Sequence, residues 1–538
     1  MIKRILALVL VMVMMVPIAV ACNKDVTEEP TEAPTEEPSE TKEPNKATNK
    51  NENNEELKET DPPRREEPDP FKDGKLSING ADISSYVIVL SSDPQSADER
   101  FANDLAAWVK KITGHEIAIV DDSAAPVANE IVVGNTTRPE SADVNGEFED
   151  ATDYEAVLKN GKLAVKFNRG TGGYSALNAM QRSFANNDCN ITKGFTNTLI
   201  ELDTVKSLVK GAIRTETVDD GLHLYKSTQA QVDAWHALTE TGYDAWTKEN
   251  ARSAIGIRLD FETDSSYIKL KLSKSTANMV LILNGKTVKT NWTGGFWTVP
   301  KADLGYTNRI TVVMSDVRDS HLWGIQELEI DGGCKITPHK TDLKMLFFGD
   351  SITEQFFGGK TASHYTAEIY NHFNADAIVQ GNGCGQFWPE MIDPAMSELY
   401  QPDVIIVALG TNDYSRNTDK DINWFEDRAD AFLDKLREVY PDVPIIGITP
   451  LRRLISMTSN SENNYDKACV EKACAGYAKS YESHGAIVIQ GDQLLSLPKH
   501  YNDTVHPNAD GHALLGANLC VVLEEHIEKI IKDKGITQ

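Results

Sequence analysis

The chain has 538 residues, 81 of them acidic and 54 basic, for a formal net charge of −27. At about 100–200 residues per domain, that length calls for several folded units. A surface this acidic repels phosphate backbones and anionic lipid, so nucleic acid and lipid headgroups are excluded as partners for basic patches, while neutral polymers such as sugars stay open.

Lys3 and Arg4 precede an apolar run from Ile5 to Val20, ending Ala19-Val20-Ala21-Cys22. The run is short for a spanning helix, which needs about 20 residues, and it reads as a secretory leader. Small residues directly before a cysteine resemble the bacterial lipobox, with Ala19 where leucine is commonest. That resemblance implies a lipoprotein signal peptide over 1–21, a lipid on the Cys22 thiol and a cell-surface, extracytoplasmic location. An uncleaved anchor or an ordinary signal is the alternative, and it too places the rest outside the cytoplasm. Residues 22–75 are rich in Pro, Glu and Thr. Residues 23–75 hold eight prolines and 17 acidic against nine basic residues. Such a segment cannot bury enough apolar surface to offset its ordering entropy, and is expected to be a disordered, self-repelling tether.

Residues 76–210 mix strands and helices. Strands are expected at Tyr86–Leu90, Glu116–Val120 and Glu130–Val133, and an amphipathic helix at Ala97–Ile112, where Phe101, Leu105, Trp108 and Ile112 share a face. Tyr154–Leu158 and Leu163–Phe167 flank Asn160-Gly161, a hairpin signal. A second helix opens at Gly172. The runs Ala97-Asp98-Glu99-Arg100-Phe101-Ala102 and Glu130-Ile131-Val132-Val133-Gly134-Asn135-Thr136 resemble the small α/β accessory domain ahead of catalytic modules in bacterial glycosidases, which has no catalysis of its own.

Residues 211–338 read as short strands: Ala254–Phe261, Tyr267–Leu272, Met279–Leu283, Gly295–Val299, Arg309–Met314 and Ile325–Ile330, with Asn284-Gly285 a hairpin turn between two of them. No helix-period segment is expected among them, so a jelly-roll-like β-sandwich follows. Trp292, Phe296, Trp297 and Trp323 either stack on sugar rings or fill the sandwich core. Residues 339–538 alternate apolar strands (Leu343–Phe348, Ala375–Val379, Asp403–Leu409, Val443–Ile448, Ala486–Ile489) with helices (His364–Phe373, Phe425–Tyr440, Tyr465–His484, Ala513–Lys532). This is a doubly wound, flavodoxin-like α/β pattern, in which active groups sit at the carboxyl ends of strands. Six cysteines besides Cys22 make no disulfide framework and show no zinc spacing.

Four short clusters carry chemistry. Gly349-Asp350-Ser351-Ile352-Thr353 puts a serine just past a buried strand, as a nucleophile or as a helix cap. Gly381-Asn382-Gly383-Cys384-Gly385 lets a backbone N–H approach substrate, or is a turn. In Gly410-Thr411-Asn412-Asp413, Asn412 either donates its amide to an oxyanion or forms an Asx turn. Asp503-Thr504-Val505-His506 offers a carboxylate and imidazole that can meet a distant serine, or is a surface turn. The spacing of His500, His506 and His512 suits neither one helix face nor the usual zinc patterns, so no metal is expected.

In this order, the four clusters resemble the SGNH (GDSL-like) hydrolases over about 190 residues. The resemblance implies Ser351 as nucleophile, His506 as base, Asp503 as triad acid and Asn412 in the oxyanion hole with the Ser351 N–H and Gly385, Gly383 being the alternative. Ile352 replaces the usual leucine. A β-sandwich directly before such a domain resembles the second carbohydrate esterase family, which deacetylates plant polysaccharides. Some of its members lack the triad acid, whereas Asp503 is present here. The expectation is a lipid-anchored esterase, needing no cofactor, that removes O-acetyl groups from a polysaccharide such as xylan. Trp388 and Tyr414 are expected to bound the sugar or to pack. Peptidoglycan or an exopolysaccharide is the alternative substrate, and a surface carbohydrate-binding protein with a vestigial hydrolase domain is the alternative function.

Overall fold

The computed structural model describes residues 69–144, 146, 148–169, 171–239, 254–274, 279–300, 303, 306–314, 324–354, 364–454 and 465–536. The leader, Cys22, nearly all of the tether and Trp323 lie outside the described residues.

The first folded region is a mixed six-stranded sheet. Val87–Leu90 runs parallel to Ala118–Asp121 and to Glu130–Val133, and Tyr154–Lys159 pairs antiparallel with Lys162–Phe167. The hairpin turn is the one its sequence specifies: Asn160 and Gly161 both take positive φ (52° and 81°), as a two-residue primed turn demands. The helix Ser96–Thr113 buries Phe101, Ala102, Leu105 and Val109 and ends on Gly114 in the left-handed conformation. With Gly172–Asn186 it contributes to one apolar core with the sheet.

Two six-stranded sheets follow. Leu224, Ile268 and Leu270 of one and Leu259, Phe261, Leu281, Ile310 and Val312 of the other share a single core, so the sheets form a sandwich. The structure departs from the sequence reading in three ways. The sandwich begins earlier than residue 211, because Thr198–Leu199 and Val209–Lys210 pair with its strands. The partner across Asn284-Gly285 is Lys286–Trp292, a strand exposed at all but Trp292, whose polarity hides it from a hydrophobic-pattern reading. A helix, Gln229–Thr239, does interrupt the strands. It buries Val232 and Trp235 against Trp388 and Met391 of the C-terminal domain, so its apolar face is paired with another domain. Trp292 is core, Trp297 packs against the core, and Phe296 is 44% exposed.

The C-terminal domain is a five-stranded, wholly parallel sheet. Besides a one-turn helix at Met396–Leu399 and three 3-10 turns, its elements are β1 (Leu343–Gly349), α1 (Tyr365–His372), β2 (Ala375–Gly381), β3 (Val404–Ala408), α2 (Thr411–Arg416), α3 (Ile422–Val439), β4 (Ile445–Ile448), α4 (Tyr465–Ser483), β5 (Ile487–Ile489) and α5 (Ala509–Lys534). The strand order is 2-1-3-4-5, the flavodoxin-like order. Residues of α1 and α5 share one core with the sheet, and residues of α3 and α4 share the other, so both sheet faces are covered. Among the described residues no helix is long and apolar enough to cross a membrane, and no disulfide links any of the cysteines.

The sandwich joins the first region through a buried carboxylate. Asp331 Oδ2 accepts from Ser266 N (2.7 Å), Ser266 Oγ (2.6 Å) and Asn178 Nδ2 of the first region (2.9 Å). Burial pushes this carboxyl up to about 6 despite those donors. Replacing Asp331 with alanine leaves several buried donors without an acceptor, at a cost of about 2–4 kcal/mol. A thermal melt should show a clear fall in Tm for Asp331→Ala; an unchanged Tm would contradict this account of the junction.

Candidate active site

The register of three strands assembles the site. Gly349 at the end of β1 lies beside Gly381 of β2 and Ala408 of β3. The segments that leave these strands therefore emerge at one edge, at the point where the strand order reverses. They carry Ser351, Gly383 and Gly385, and Asn412.

Ser351 sits in the turn after β1. Asp350 is buried, and its Oδ1 accepts from Ile352 N at 2.9 Å, which closes the turn. Beneath it, the buried His364 donates from Nε2 to Ile352 O (2.8 Å), and Thr353 Oγ1 bonds Tyr365 Oη (2.7 Å). Burial lowers His364 to about 3, so it is a neutral imidazole that holds the turn.

The loop before α5 supplies the partner groups. Ser351 Oγ lies 2.8 Å from His506 Nε2, and His506 Nδ1 lies 2.8 Å from Asp503 Oδ2. The other Asp503 oxygen accepts from Val505 N and His506 N, both at 2.7 Å. Partial burial raises the Asp503 carboxyl, but the two N–H donors and the imidazole outweigh it and hold the group below the usual carboxylate range. An ionised carboxylate at Nδ1 leaves Nε2 as the proton acceptor facing the serine.

Asn412 opens α2, reached through Gly410 at φ 111°. Its Nδ2 donates to Gly385 O at 3.0 Å, and the amide carries a second N–H. Gly385 is held close to the Ser351 turn: a Cβ there would stand 3.0 Å from Gly349 O and 3.3 Å from Asp350 Cα. The Gly385 N–H bonds Asn382 O at 2.9 Å, so donation to a substrate oxygen needs that bond shared or exchanged. Gly383 is the poorer candidate. Its N–H is taken by the buried Glu354 carboxylate at 2.5 Å.

Trp388 and Tyr414 do not line an open surface. Tyr414 is fully buried, with the Arg453 guanidinium 4.6 Å above its ring. Trp388 is 7% exposed and packs edge to face on Trp235, 5.3 Å between ring centroids. Both pack in the interior, Tyr414 within the C-terminal domain and Trp388 against the helix Gln229–Thr239 of the sandwich region. His364 and Glu354 escaped the sequence reading: one opens a helix and the other reads as a surface charge. Among the described residues no group of three His, Cys, Asp or Glu side chains is placed to hold a metal.

Two outcomes follow. Asp503→Asn should lower kcat about 10²- to 10⁴-fold with the fold retained, since an amide no longer fixes the imidazole tautomer; a kcat within threefold of the parent would contradict the arrangement. Burial, opposed by Arg428 and the Phe387 N–H, raises Asp413 to about 7. An unfolded aspartate ionises near 3.9, so between that value and about 7 the folded state holds the extra proton and stability falls as pH rises. The difference in Tm between pH 5 and pH 8 should therefore shift in Asp413→Asn toward greater relative stability at pH 8. A shift toward pH 5 would contradict it.

A curated relative, a multidomain esterase from Ruminococcus flavefaciens, is 30% identical over 117 residues, 22% of this chain and 15% of that protein. The chain thus spans about 15% of that relative's length. A family two carbohydrate esterase from Cellvibrio japonicus aligns over 62% of this chain and 98% of its own, at 15% identity and a TM-score of 0.42. A salicylyl-acyltransferase from a tetracycline biosynthetic pathway aligns over 59% of this chain and 94% of its own, at 14% identity and a TM-score of 0.47. Residues 347–514, which hold Ser351, Asn412, Asp503 and His506, match the model of the GDSL-like lipase/acylhydrolase family.

Proposed function

We propose that the chain is a serine esterase that removes O-acetyl groups from a neutral polysaccharide of the xylan type, held at the bacterial cell surface by a lipid on Cys22. The observation that carries the chemistry is the continuous run from Ser351 Oγ through His506 to Asp503, 2.8 Å at each step. Ser351 Oγ attacks the acetyl carbonyl while His506 Nε2 takes its proton. The resulting oxyanion is met by the free Asn412 amide N–H, the Ser351 N–H and, on exchange of its turn bond, the Gly385 N–H. His506 returns the proton to the departing sugar oxygen and leaves an acetyl-serine. A water that gives its proton to His506 then attacks the acetyl-serine, releasing acetate and restoring the serine. Asp503 stabilises the imidazolium in each half-reaction.

The choice of polymer is supported by two features. A β-sandwich directly precedes the hydrolase domain, the arrangement that resembles the second carbohydrate esterase family. The charge of −27 disfavours strongly anionic polymers.

The test is acetate release by the full chain from acetylated xylan and from 4-nitrophenyl acetate. The parent should hydrolyse both, and Ser351→Ala should lose at least about 10³-fold in kcat on each. Hydrolysis of 4-nitrophenyl acetate alone would retain the esterase and reject the polymer. Equal rates for Ser351→Ala and the parent would reject the mechanism.

A further inference from the structure

The glycine loop after β2 is held partly from outside the hydrolase domain. Lys226 follows the sandwich strand Gly221–Tyr225. It is 1% exposed, and its ammonium donates to Gly381 O at 2.6 Å and to Glu354 Oε1 at 3.5 Å. The same Glu354 carboxylate, itself fully buried, takes the Gly383 N–H through its other oxygen at 2.5 Å. One buried ion pair thus grips the loop at two points, Gly381 O and Gly383 N, two residues ahead of Gly385.

The neighbouring contacts brace the same segment. Gln380 Nε2 donates to Lys226 O (2.7 Å), and Gln231 Nε2 donates to Gln380 Oε1 (2.9 Å) and to Met391 O (2.8 Å). Burial pushes the Lys226 ammonium down and the Glu354 carboxyl up to about 7, each against the pull of the other. A buried ion pair adds little stability over an apolar pair of similar volume, so what it contributes here is position. The loop it holds donates from Asn382 N to Gly349 O at 3.1 Å, beside the Ser351 turn, and receives the Asn412 amide at Gly385 O.

We propose that Lys226 of the β-sandwich is a positioning residue for the esterase reaction: with Glu354 it sets the Gly381–Gly385 loop so that the Asn412 amide and the loop backbone face the oxyanion. The sandwich is then a working part of the active site. This rests on the serine esterase reading above. Lys226 touches no reacting atom, and its effect belongs to the transition state, where a displacement of about 1 Å can cost about 10²-fold.

The experiment uses the full chain and 4-nitrophenyl acetate, with Lys226→Met, Glu354→Gln and the double variant beside the parent and Ser351→Ala. An organophosphonate that labels an active serine counts competent sites at completion, and kcat is taken per labelled site. Lys226→Met should lose about 10- to 100-fold in kcat with KM within twofold. The double variant should recover part of that loss, because no charge is left buried alone and glutamine still accepts from Gly383 N. If Lys226→Met does not fold, the double variant carries the test and should still show a kcat loss at least threefold beyond the parent with KM unchanged. A kcat per site within twofold of the parent in both Lys226 variants, or a loss confined to KM, overturns the proposal while Ser351→Ala remains inactive. Hydrolysis absent from the parent, or unaffected in Ser351→Ala, overturns the esterase reading and this proposal with it.

Discussion

Three parallel strands ending at the same level are the constraint on which the rest depends. Because Gly349, Gly381 and Ala408 are register neighbours, the serine turn, the glycine loop and the Asn412 helix must crowd one edge of the sheet. That crowding explains the local sequence. A Cβ at Gly349 would collide with Thr353 Oγ1, and one at Gly381 with Glu354 N. The glycines are there because three chain exits share a space that side chains would fill. The imidazole then arrives from the far end of the chain, fixed by Asp503.

The charges around this edge follow a common rule. Asp350, Glu354 and Asp413 are fully buried, and burial raises all three to about 7. Each is tied to backbone N–H groups of the site loops: Ile352, Gly383 and Phe387 respectively. Carboxylates serve as clamps on turns that no secondary structure would hold, at a cost in stability offset by the two large cores beneath. Asp503 is the contrast. It is part-exposed, well supplied with donors and held below the usual range, as a group that must stay ionised beside a histidine requires.

Much of this was legible in the residues, though unevenly. The parallel strands stood out because both faces are buried, giving near-continuous apolar runs such as Val404–Ala408. The site motifs stood out because each follows a strand end and because their order resembles a known family. What stayed hidden depends on distant partners. Lys226 and Glu354 are 128 residues apart, and neither carries a local sign of burial. The helix Gln229–Thr239 buries its apolar face against another domain's loop, so its pattern answers to a neighbour absent from the local sequence. The strand Lys286–Trp292 is exposed on both faces as far as Asn291 and shows no regular apolar alternation. Trp388 and Tyr414 were expected beside the sugar or in packing. They pack, Tyr414 beneath the Arg453 guanidinium and Trp388 on Trp235 of the inserted helix.

The most direct test of the central claim is mass spectrometry of the chain quenched in acid during turnover of 4-nitrophenyl acetate. The account predicts an acetyl group on the peptide containing Ser351, at the serine itself, which disappears when turnover runs to completion before the quench. Turnover that leaves Ser351 unmodified at every quench time, with acetyl on another residue or on none, would contradict it.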